Sequence, residues 1–303
     1  MRRIKIVLPA TITDLGPGVG GLGLALGLHT IVEFSERNDD QLHVETTGED
    51  AGRYAVGLRH PVVIGLIRIF QRLEKTVLGL NVRIDNRVPH AAGLGVETAY
   101  MIAGIIGANN LMGNPYNREA VLGIAAHETR RPDQVTAAML GGMTSAVLDD
   151  DALVYRNLAV AALQVVVVAP DADEYAEAAR GMIPERVLLS DALHTLARLP
   201  LWVDALREGN LGLLAKVADD RLFAPHLRPL VPGSEAAAEA ARKAGAQAVV
   251  MTRSGALVAF ADKNQPRIAD VMRAALREAG TAARAWTLPI DRQGIVISVA
   301  QTG

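Results

Sequence analysis

Two glycine-rich segments, each directly after a strand-like run, constrain the fold of this chain more than any other feature. The first follows the apolar run at residues 4–8 and spans residues 9–26; the second follows the alternating run at 80–85 and spans residues 88–99. Because glycine lacks a Cβ, it permits positive φ and lets other groups approach the backbone closely. Each segment therefore predicts a tight turn, which either serves chain packing alone or brings a ligand against the backbone.

The second segment places Gly93-Leu94-Gly95 just before a predicted helix that begins near residue 96. A Gly-x-Gly turn that opens a helix leaves free N–H groups at the positive end of the helix dipole, an arrangement that suits a phosphate. It is not a Walker loop, because no Gly-Lys-Ser/Thr follows it. A third cluster of small residues, at 251–258, predicts a hairpin turn between two strands.

Strand-like and helix-like runs are mixed without strict alternation, which predicts an α+β fold with helices packed on mostly antiparallel sheets. The run from Val165 to Val168 has no polar side, so we expect it to be buried on both faces. Ser234 is predicted to cap a helix that ends at Gly245. Predicted strands lie at residues 4–8, 30–34, 41–46, 80–85, 143–148, 163–169, 247–251, 255–260 and 295–299. Predicted helices lie at residues 60–74, 97–112, 117–127, 172–180, 188–207, 211–218, 236–244 and 266–278.

The length of 303 residues allows two domains with separate cores. A polar turn at Asp149-Asp150-Asp151 precedes the buried strand at 163–169 and marks a plausible boundary. We therefore expect an N-terminal domain over residues 1–155, which carries the Gly-x-Gly turn, and a C-terminal domain over residues 156–303.

Composition and charge exclude several classes of function. The formal net charge of −2 gives no general attraction to nucleic acid or to an anionic membrane, and 4% aromatic residues offer few stacking platforms. The chain has no cysteine, which excludes disulfides, thiol catalysis and thiolate metal sites and fits a cytoplasmic protein. No run approaches 18 apolar residues, and the first apolar run is shorter than that of a signal peptide, so no membrane partner is expected.

Five segments, in order along the chain, give the sequence a resemblance to one family. Residues 9–26, 88–99, 128–142, 220–233 and 252–257 resemble the motifs of the galactokinase, homoserine kinase, mevalonate kinase and phosphomevalonate kinase (GHMP) superfamily, most closely its homoserine kinase branch. The resemblance implies a two-domain GHMP kinase-like fold with the active site between the halves. It also implies transfer of the ATP γ-phosphate to a small alcohol, with Mg²⁺ bridging the triphosphate.

Candidate site residues lie at these motif positions and at departures from them. The cofactor-binding candidates are Gly93, Leu94, Gly95, Thr98, Thr252 and Arg253. The substrate-binding candidates are Asp14, Arg131, Gln134, Arg221 and Arg228. The catalytic candidates are Glu97, Asp14 and Glu128, of which Glu97 and Glu128 are also the metal-binding candidates.

The clearest departure is in the phosphate loop, where Val96 and Glu97 stand in place of two serines. Val96 can neither donate to a phosphate nor hold Mg²⁺. A Glu97 carboxylate ~4 Å from a phosphate charge would be repelled by roughly 4 kcal/mol at an effective dielectric of about 20. A Mg²⁺ ion between the two would reverse that sign. Alternatively, Glu97 is an ordinary first-turn acid that the helix dipole favours.

The substrate motifs depart as well. Gly20 replaces an aspartate, which removes the natural partner of an ammonium group, so homoserine is not the expected substrate. Several arginines could instead converge on an anionic metabolite through their two-pronged guanidinium groups, or could simply be solvated. These are Arg130, Arg131, Arg221, Arg228 and Arg253. His90 and His127 could act as acid or base, or serve a structural role.

Three functions stay open at this point. The first is a GHMP-type kinase that uses ATP and Mg²⁺ and acts on the alcohol of a small anionic metabolite. The second is an enzyme of the same fold without ATP or another cofactor, which acts on a small anion through Glu97 or Asp14. The third is a non-catalytic ligand-binding protein. Because members of this fold often form dimers, a homodimer is expected by resemblance.

Overall fold

Two sheets, with helices packed against them, form the framework of the chain. The computed structural model describes residues 2–54, 59–76, 79–171, 173–182 and 184–301. The strands are β1 (Arg2–Thr13), β2 (Leu22–Glu36), β3 (Leu42–Gly48), β4 (Leu80–Asn86), β5 (Met143–Asp149), β6 (Ala152–Leu158), β7 (Gln164–Pro170), β8 (Ala248–Met251), β9 (Leu257–Phe260), β10 (Ala283–Pro289) and β11 (Val296–Gln301). The helices are α1 (Pro61–Arg72), α2 (Val96–Leu111), α3 (Arg118–Thr129), α4 (Pro132–Leu140), α5 (Glu174–Gly181), α6 (Leu189–Glu208), α7 (Leu211–Val217), α8 (Ala224–Leu227), α9 (Ser234–Lys243) and α10 (Gln265–Glu278).

The first sheet has the strand order β11-β1-β2-β4-β3, and β5 joins it by pairing with both β2 and β6. Strands β3 and β4 pair in parallel, whereas β1 and β2 pair antiparallel over their whole length with a bulge between Pro9 and Ala10. The second sheet has the order β10-β7-β9-β8 and is antiparallel throughout. The predicted α+β class with mostly antiparallel sheets is therefore confirmed.

Helix α2 is the central element of the first half. It has no distinct polar face, and all but two of its residues are buried, as expected for a helix enclosed by other elements. Glycines let α1 and α2 cross at very short range: a Cβ at Gly65 would collide with the carbonyl of Met101, and a Cβ at Gly104 with the carbonyl of Val62. This packing holds α2 against α1.

The second sheet is covered on both faces. Val165 and Val167 pack with Trp202 and Phe260, whose rings meet edge to face at 5.6 Å. Val166 and Val168 pack on the opposite face, against α9 and α10. All four valines are fully buried, so the predicted burial of this strand on both faces is confirmed.

Strand β11 pairs antiparallel with β1 in the first sheet. The two halves also meet where His29 Nε2 lies 2.7 Å from the Asp291 carboxylate. The division at residue 155 stays a prediction. In the part of the chain that the structure describes, no helix is long and apolar enough to cross a membrane.

Some of the predicted elements need correction. The cap of α9 is Gly233 in a left-handed conformation, whereas the Ser234 hydroxyl donates to the Arg228 carbonyl. The elements α4, α8, β6 and β10 were missed. Strand β6 has no buried residue, and α4 and α8 are short, so none of these three gives a strong periodic signal. Residue 172, at the start of the helix predicted over 172–180, lies outside the described residues.

The polar turn at Asp149–Asp151 is confirmed between β5 and β6. Asp150 has a φ of 50°, a conformation that aspartate tolerates better than most residues. The chain therefore reverses here, as the run of three aspartates predicts.

Candidate functional site

A cavity of about 590 Å³ lies between the two halves, at the start of α2. Side chains and backbone from the first sheet, α1, α2, α3, α4 and the β8–β9 turn line it. The predicted site residues on its wall are Asp14, Gly93, Gly95, Glu97, Thr98, Glu128, Arg131, Gln134, Thr252 and Arg253. The fold therefore brings together predicted residues that are up to 239 positions apart along the chain, counted from Asp14 to Arg253.

The Gly-x-Gly turn has the predicted geometry. A short 3-10 turn over His90–Ala92 ends at Gly93, which has a φ of 63°, and Gly95 has a φ of 78° and directly precedes α2. As a glycine, Gly95 offers no side chain to cap the helix, so the first N–H groups of α2 have no partner within the helix. These groups open onto the cavity and can bind an anion.

The turn is held from both sides. The Thr11 N–H donates to the Leu94 carbonyl at 3.0 Å. A Cβ at Gly95 would collide with the Thr11 hydroxyl, and a Cβ at Gly93 would collide with the Ser254 side chain. Because Ser254 belongs to the β8–β9 turn, the second half of the chain contacts the Gly-x-Gly turn directly. Thr252 lies in the same turn, where its hydroxyl is 2.9 Å from that of Ser254.

Glu97 lies at the rim of the cavity with 56% of its side chain exposed. Its carboxylate accepts from the Tyr54 hydroxyl at 3.1 Å and lies 3.2 Å from His90 Nε2. His90 Nδ1 in turn lies 3.0 Å from the Asp173 carboxylate, which also pairs with Arg53. We call these five residues the rim cluster. It joins the first turn of α2 to the segment before α5.

The contacts within the rim cluster shift the pKa values of its members. The hydrogen bond with Glu97 raises the pKa of His90, and the hydrogen bond with His90 lowers the pKa of Glu97. Burial opposes ionisation of Asp173, but the hydrogen bonds from His90 and Arg53 outweigh it and leave its pKa lowered. Burial raises the pKa of Tyr54, and the nearby Glu97 charge adds to that shift. The cluster therefore favours a cationic His90 between two carboxylates.

The opposite wall of the cavity carries two guanidinium groups. Arg131 donates to both carboxylate oxygens of Asp133, at 3.2 and 3.1 Å, and to the Thr13 hydroxyl at 2.7 Å. Asp14 lies 3.9 Å from Arg131 and 3.8 Å from Arg253. The carboxylates of Asp14 and Asp133 are 5% and 6% exposed, whereas the two arginines are about one-third exposed. The guanidinium groups are therefore the more accessible charges on this wall; the Asp14 carboxylate also lines the cavity but is largely covered, and Asp133 does not line it.

Asp14 and its neighbours are fixed by the backbone of the first glycine-rich segment. Asp14 has a φ of 57°, and its carboxylate accepts from the Gly20 N–H at 3.0 Å. The substrate-binding candidate Gln134 is buried and accepts from the Thr98 hydroxyl at 2.5 Å. Thr98 is therefore not free to donate to a phosphate in this arrangement, and the contact links α2 to α4.

Glu128, a catalytic and metal-binding candidate, lines the cavity but is already paired. Its carboxylate lies 3.0 Å from Arg68 and 3.1 Å from Arg72, both on α1. Among the described residues, no group of three or more His, Asp or Glu side chains is placed to hold a metal ion. His127 pairs with Asp151.

Arg221 and Arg228 are not brought to this cavity. Arg221 pairs with Asp219 at 3.5 Å and with Asp191 at 3.9 Å. Arg228 lines a separate cavity of about 100 Å³ and lies 4.0 Å from Glu235. Their segment is organised by Asp220, whose carboxylate caps the N–H groups of Leu222, Phe223 and Ala224.

Sequence reasoning missed several residues of the site. Asp173, Arg53 and Tyr54 were not candidates, because they lie in segments without a motif. Asp133 was part of a recognised motif, but its pairing with Arg131 depends on the turn that opens α4. The signal that could have found Asp133 is the Arg-x-Asp spacing beside a helix start, where an aspartate is favoured.

Comparison with known proteins places this geometry in a family. Residues 62–142 match the family model for the GHMP kinases N terminal domain. The homoserine kinase of Moorella thermoacetica is 30% identical over 292 residues, which cover 96% of this chain and 98% of that protein. The homoserine kinase of a Synechococcus species is 32% identical over 306 residues, with 97% and 98% coverage.

The fold agrees with the sequence matches. The crystal structure of homoserine kinase from Cytophaga hutchinsonii superimposes with a TM-score of 0.85 and 23% identity, and the match covers 98% of this chain and 97% of that one. The resemblance expected from the five motifs is confirmed by these findings. This chain belongs to the GHMP kinase superfamily, in its homoserine kinase-like branch.

Proposed function

We propose that this protein transfers the γ-phosphate of Mg·ATP to a hydroxyl group of a small anionic metabolite. One observation carries the proposal: the uncapped start of α2 and the guanidinium groups of Arg131 and Arg253 line the same cavity. The helix start suits the phosphate chain of the nucleotide. The two guanidinium groups suit a carboxylate or phosphate on the acceptor.

The residues at the helix start fit a phosphate chain. Gly93 and Gly95 have left-handed φ and line the cavity, and the N–H groups that follow Gly95 begin α2 without a side-chain cap. Val96 removes a hydroxyl donor but leaves its own N–H group in place. Glu97 points at His90 and Tyr54, so its charge is neutralised at the rim. Backbone donors at Val96, Glu97 and Thr98 would therefore hold the phosphates.

The carboxylates present do not fit a preformed magnesium site. Glu128 is paired with Arg68 and Arg72, and Glu97 is paired with His90. Protein magnesium sites commonly use one or two carboxylates together with substrate phosphates. We therefore treat magnesium as part of the nucleotide substrate and derive no step through it.

On the acceptor side, we propose that the Asp14 carboxylate receives the proton of the attacking hydroxyl. In that step the acceptor oxygen forms a bond to the γ-phosphorus, the bond from phosphorus to the ADP oxygen breaks, and the hydroxyl proton passes to the Asp14 carboxylate. Arg131 and Arg253, which lie within 4 Å of Asp14, hold the anionic end of the acceptor beside it. Positioning of the two substrates supplies most of the rate.

The acceptor is proposed to lack an ammonium group, which excludes homoserine. Position 20, where the resemblance implies an aspartate, is a glycine that does not line the cavity, and a Cβ there would meet nothing within 4 Å among the described residues. The carboxylate of Asp14, which accepts from the Gly20 N–H, already faces two guanidinium groups. An ammonium group at this wall would meet the two guanidinium groups first, because they are about one-third exposed whereas the Asp14 and Asp133 carboxylates are 5% and 6% exposed; an anion would be attracted to them.

Release of ADP, measured with a panel of hydroxy acids and phosphorylated alcohols, tests the proposal, with homoserine included in the panel. We expect turnover with at least one anionic alcohol and a large loss in the Asp14→Asn variant. The Asp39→Asn variant, which removes an exposed carboxylate remote from the cavity, serves as the matched control. Preference for homoserine over every other acceptor would contradict the acceptor proposal. Absence of both ADP release and nucleotide binding would contradict the kinase proposal.

A second candidate function is supported by the rim cluster alone. The Glu97 and His90 pair, at 3.2 Å, resembles an acid–base pair and borders the same cavity, so the fold could act on a small anion without ATP. This candidate predicts turnover that does not depend on nucleotide and is abolished by Glu97→Gln. The kinase proposal predicts that Glu97→Gln retains ADP release.

A further inference from the structure

His90 lies between two carboxylates at the rim of the cavity. Its Nε2 is 3.2 Å from Glu97 and its Nδ1 is 3.0 Å from Asp173. An imidazole with a carboxylate at each nitrogen donates from both only when it carries two protons and a positive charge. The two contacts therefore describe a cationic His90 that spans from α2 to the segment before α5.

Among the described residues, the charged and titratable groups that face His90 are the other members of the rim cluster and Asp50. Asp50, in the turn after β3, accepts from the His90 backbone N–H at 2.7 Å. Arg53 pairs with Asp173, and Tyr54 donates to Glu97 at 3.1 Å. Together with Glu97 and Asp173 these groups supply three carboxylates and one guanidinium around a single imidazole.

Glu97 is the second residue of α2, where a carboxylate is attracted by the positive end of the helix dipole. Without a partner, its side chain could turn back over the N–H groups at the helix start, which are the groups that a phosphate needs. The carboxylate would then compete with the phosphate for donors and repel it by charge. Something must therefore hold Glu97 aside if the turn is to bind nucleotide.

We propose that His90 is a positioning residue that keeps the Glu97 carboxylate on the rim and neutralises its charge, so that the start of α2 stays open to phosphate. This inference rests on the proposed function and concerns how its nucleotide site works. It explains how a phosphate loop functions with an acid in place of a hydroxyl: the acid is paired outside the loop. His90 acts through Glu97 and touches no reacting atom.

If the pair of His90 and Glu97 only stabilised the fold, it would not need to lie beside the start of α2. Glu97 is 56% exposed, and ion pairs with such exposure contribute little to folding stability. The same pair lies beside the uncapped helix start, where a free carboxylate charge would oppose the binding of an anion. The effect of the pair is therefore expected in nucleotide affinity more than in the free energy of unfolding.

A double-mutant cycle on the full chain tests the inference, with the dissociation constant of Mg·ADP measured by calorimetry. The variants are His90→Gln, Glu97→Gln and the double variant. We expect His90→Gln to weaken binding at least about tenfold, which corresponds to about 1.4 kcal/mol. Glu97→Gln should bind as well as the wild type or better, and the double variant should bind like Glu97→Gln. His90→Lys, which keeps a cation beside Glu97, should bind close to the wild type and covers the case in which His90→Gln fails to fold.

His29→Gln is the matched control, because His29 also pairs with a carboxylate, at 2.7 Å from Asp291, but does not line the cavity. It should leave the dissociation constant unchanged. Two results would overturn the inference: equal losses when His90→Gln is introduced into the wild type and into the Glu97→Gln variant, or no loss in either. Nucleotide binding by the wild type would still support the proposed function in both cases. Absence of nucleotide binding by the wild type would overturn the inference and the proposed function together.

Discussion

The phosphate side of the cavity is formed by backbone, whereas the acceptor side is formed by charged side chains. On the first side, Gly93 and Gly95 have positive φ and are so closely packed that a Cβ at either would collide with a neighbour. On the second side, the side chains of Asp14, Arg131 and Arg253 determine which charges line the cavity wall. A site made of N–H groups survives the replacement of its side chains, whereas a site made of side chains changes its ligand when they change.

The largest expected effect comes from Gly95→Ala. The new methyl group would meet the Thr11 hydroxyl, and φ at this position is 78°. We expect a loss of unfolding free energy of about 1–2 kcal/mol from the left-handed conformation and a further 1–3 kcal/mol, roughly, from the collision. Nucleotide binding should be lost as well, because the helix start moves. Urea denaturation and calorimetry measure the two effects.

Gly113→Ala is the control for conformational strain. Gly113 has a φ of 83°, and a Cβ there would meet nothing within 4 Å among the described residues. The free energy of unfolding of this variant should fall only by the cost of the left-handed conformation. Its nucleotide affinity should not change. If both variants lost the same stability, the close packing of the phosphate side would be contradicted.

Arg131→Leu should have the next largest effect, on the acceptor side. The substitution leaves the buried Asp133 carboxylate without its two-pronged partner and removes a cation from the cavity wall. We expect a loss of about 2–3 kcal/mol of unfolding free energy together with a raised KM for the acceptor. Arg131→Lys should recover part of the stability.

Arg83→Leu is the control for Arg131, because Arg83 forms a widely exposed pair with Glu45 at 3.9 Å. It should change neither stability nor KM measurably. An unchanged acceptor KM in Arg131→Leu would show that the guanidinium group has only a structural role and would remove the distinction between the two sides.

The rim cluster predicts a pH dependence of stability. The pKa of His90 is raised above its ordinary value of 6.5, so its contribution is fully present below about pH 6.5 and is lost as pH rises through the raised pKa. The pKa of Glu97 is lowered from 4.5, so its contribution is present above pH 4.5 and is lost as pH falls through the lowered pKa. The difference in unfolding free energy between the wild type and His90→Gln should therefore be largest between these limits and shrink in alkaline solution. A difference that grows as the pH rises above about 6.5 would contradict a cationic His90.

The smallest effects are expected from Arg221→Ala and Arg228→Ala. The family resemblance predicts a substrate role for both, but neither lines the cavity, and each is paired with acids on its own side of the fold. The geometry leads us to expect KM values for nucleotide and acceptor within about twofold of the wild type, which is the usual scatter for surface ion pairs. A large increase in the acceptor KM would show that the acceptor side extends beyond this cavity.

The sequence predicted the phosphate side better than the acceptor side, for a physical reason. Gly93 and Gly95 carry a local signal, since a Gly-x-Gly turn before a helix determines its own backbone geometry. The pairing of His90 with Asp173 joins residues 83 positions apart, and nothing local at either residue indicates it. Arg131 was named as a candidate, but its hold on Asp133 and Thr13 arises only when α4 begins beside β1.

The predicted helices and strands show the same contrast between features with a local sequence signal and features without one. Strand β7 was predicted within one residue of each end, because four consecutive valines strongly favour a strand that is buried on both faces. Strand β6 was missed, because a strand without buried residues gives no apolar run. Glu97 shows what the sequence could not predict. Its position in the first turn of α2 was predictable, whereas the contact of its side chain with His90 depends on residues from other segments.

The central claim is that the backbone at the start of α2 binds a phosphate chain although Val96 and Glu97 offer it no hydroxyl. A crystal structure of the full chain with Mg·ADP tests this most directly. We predict phosphate oxygens at about 2.7–3.2 Å from the backbone nitrogens of Val96, Glu97 and Thr98. Glu97 should still contact His90. A phosphate chain bound elsewhere, or an empty turn at saturating nucleotide, would contradict the account.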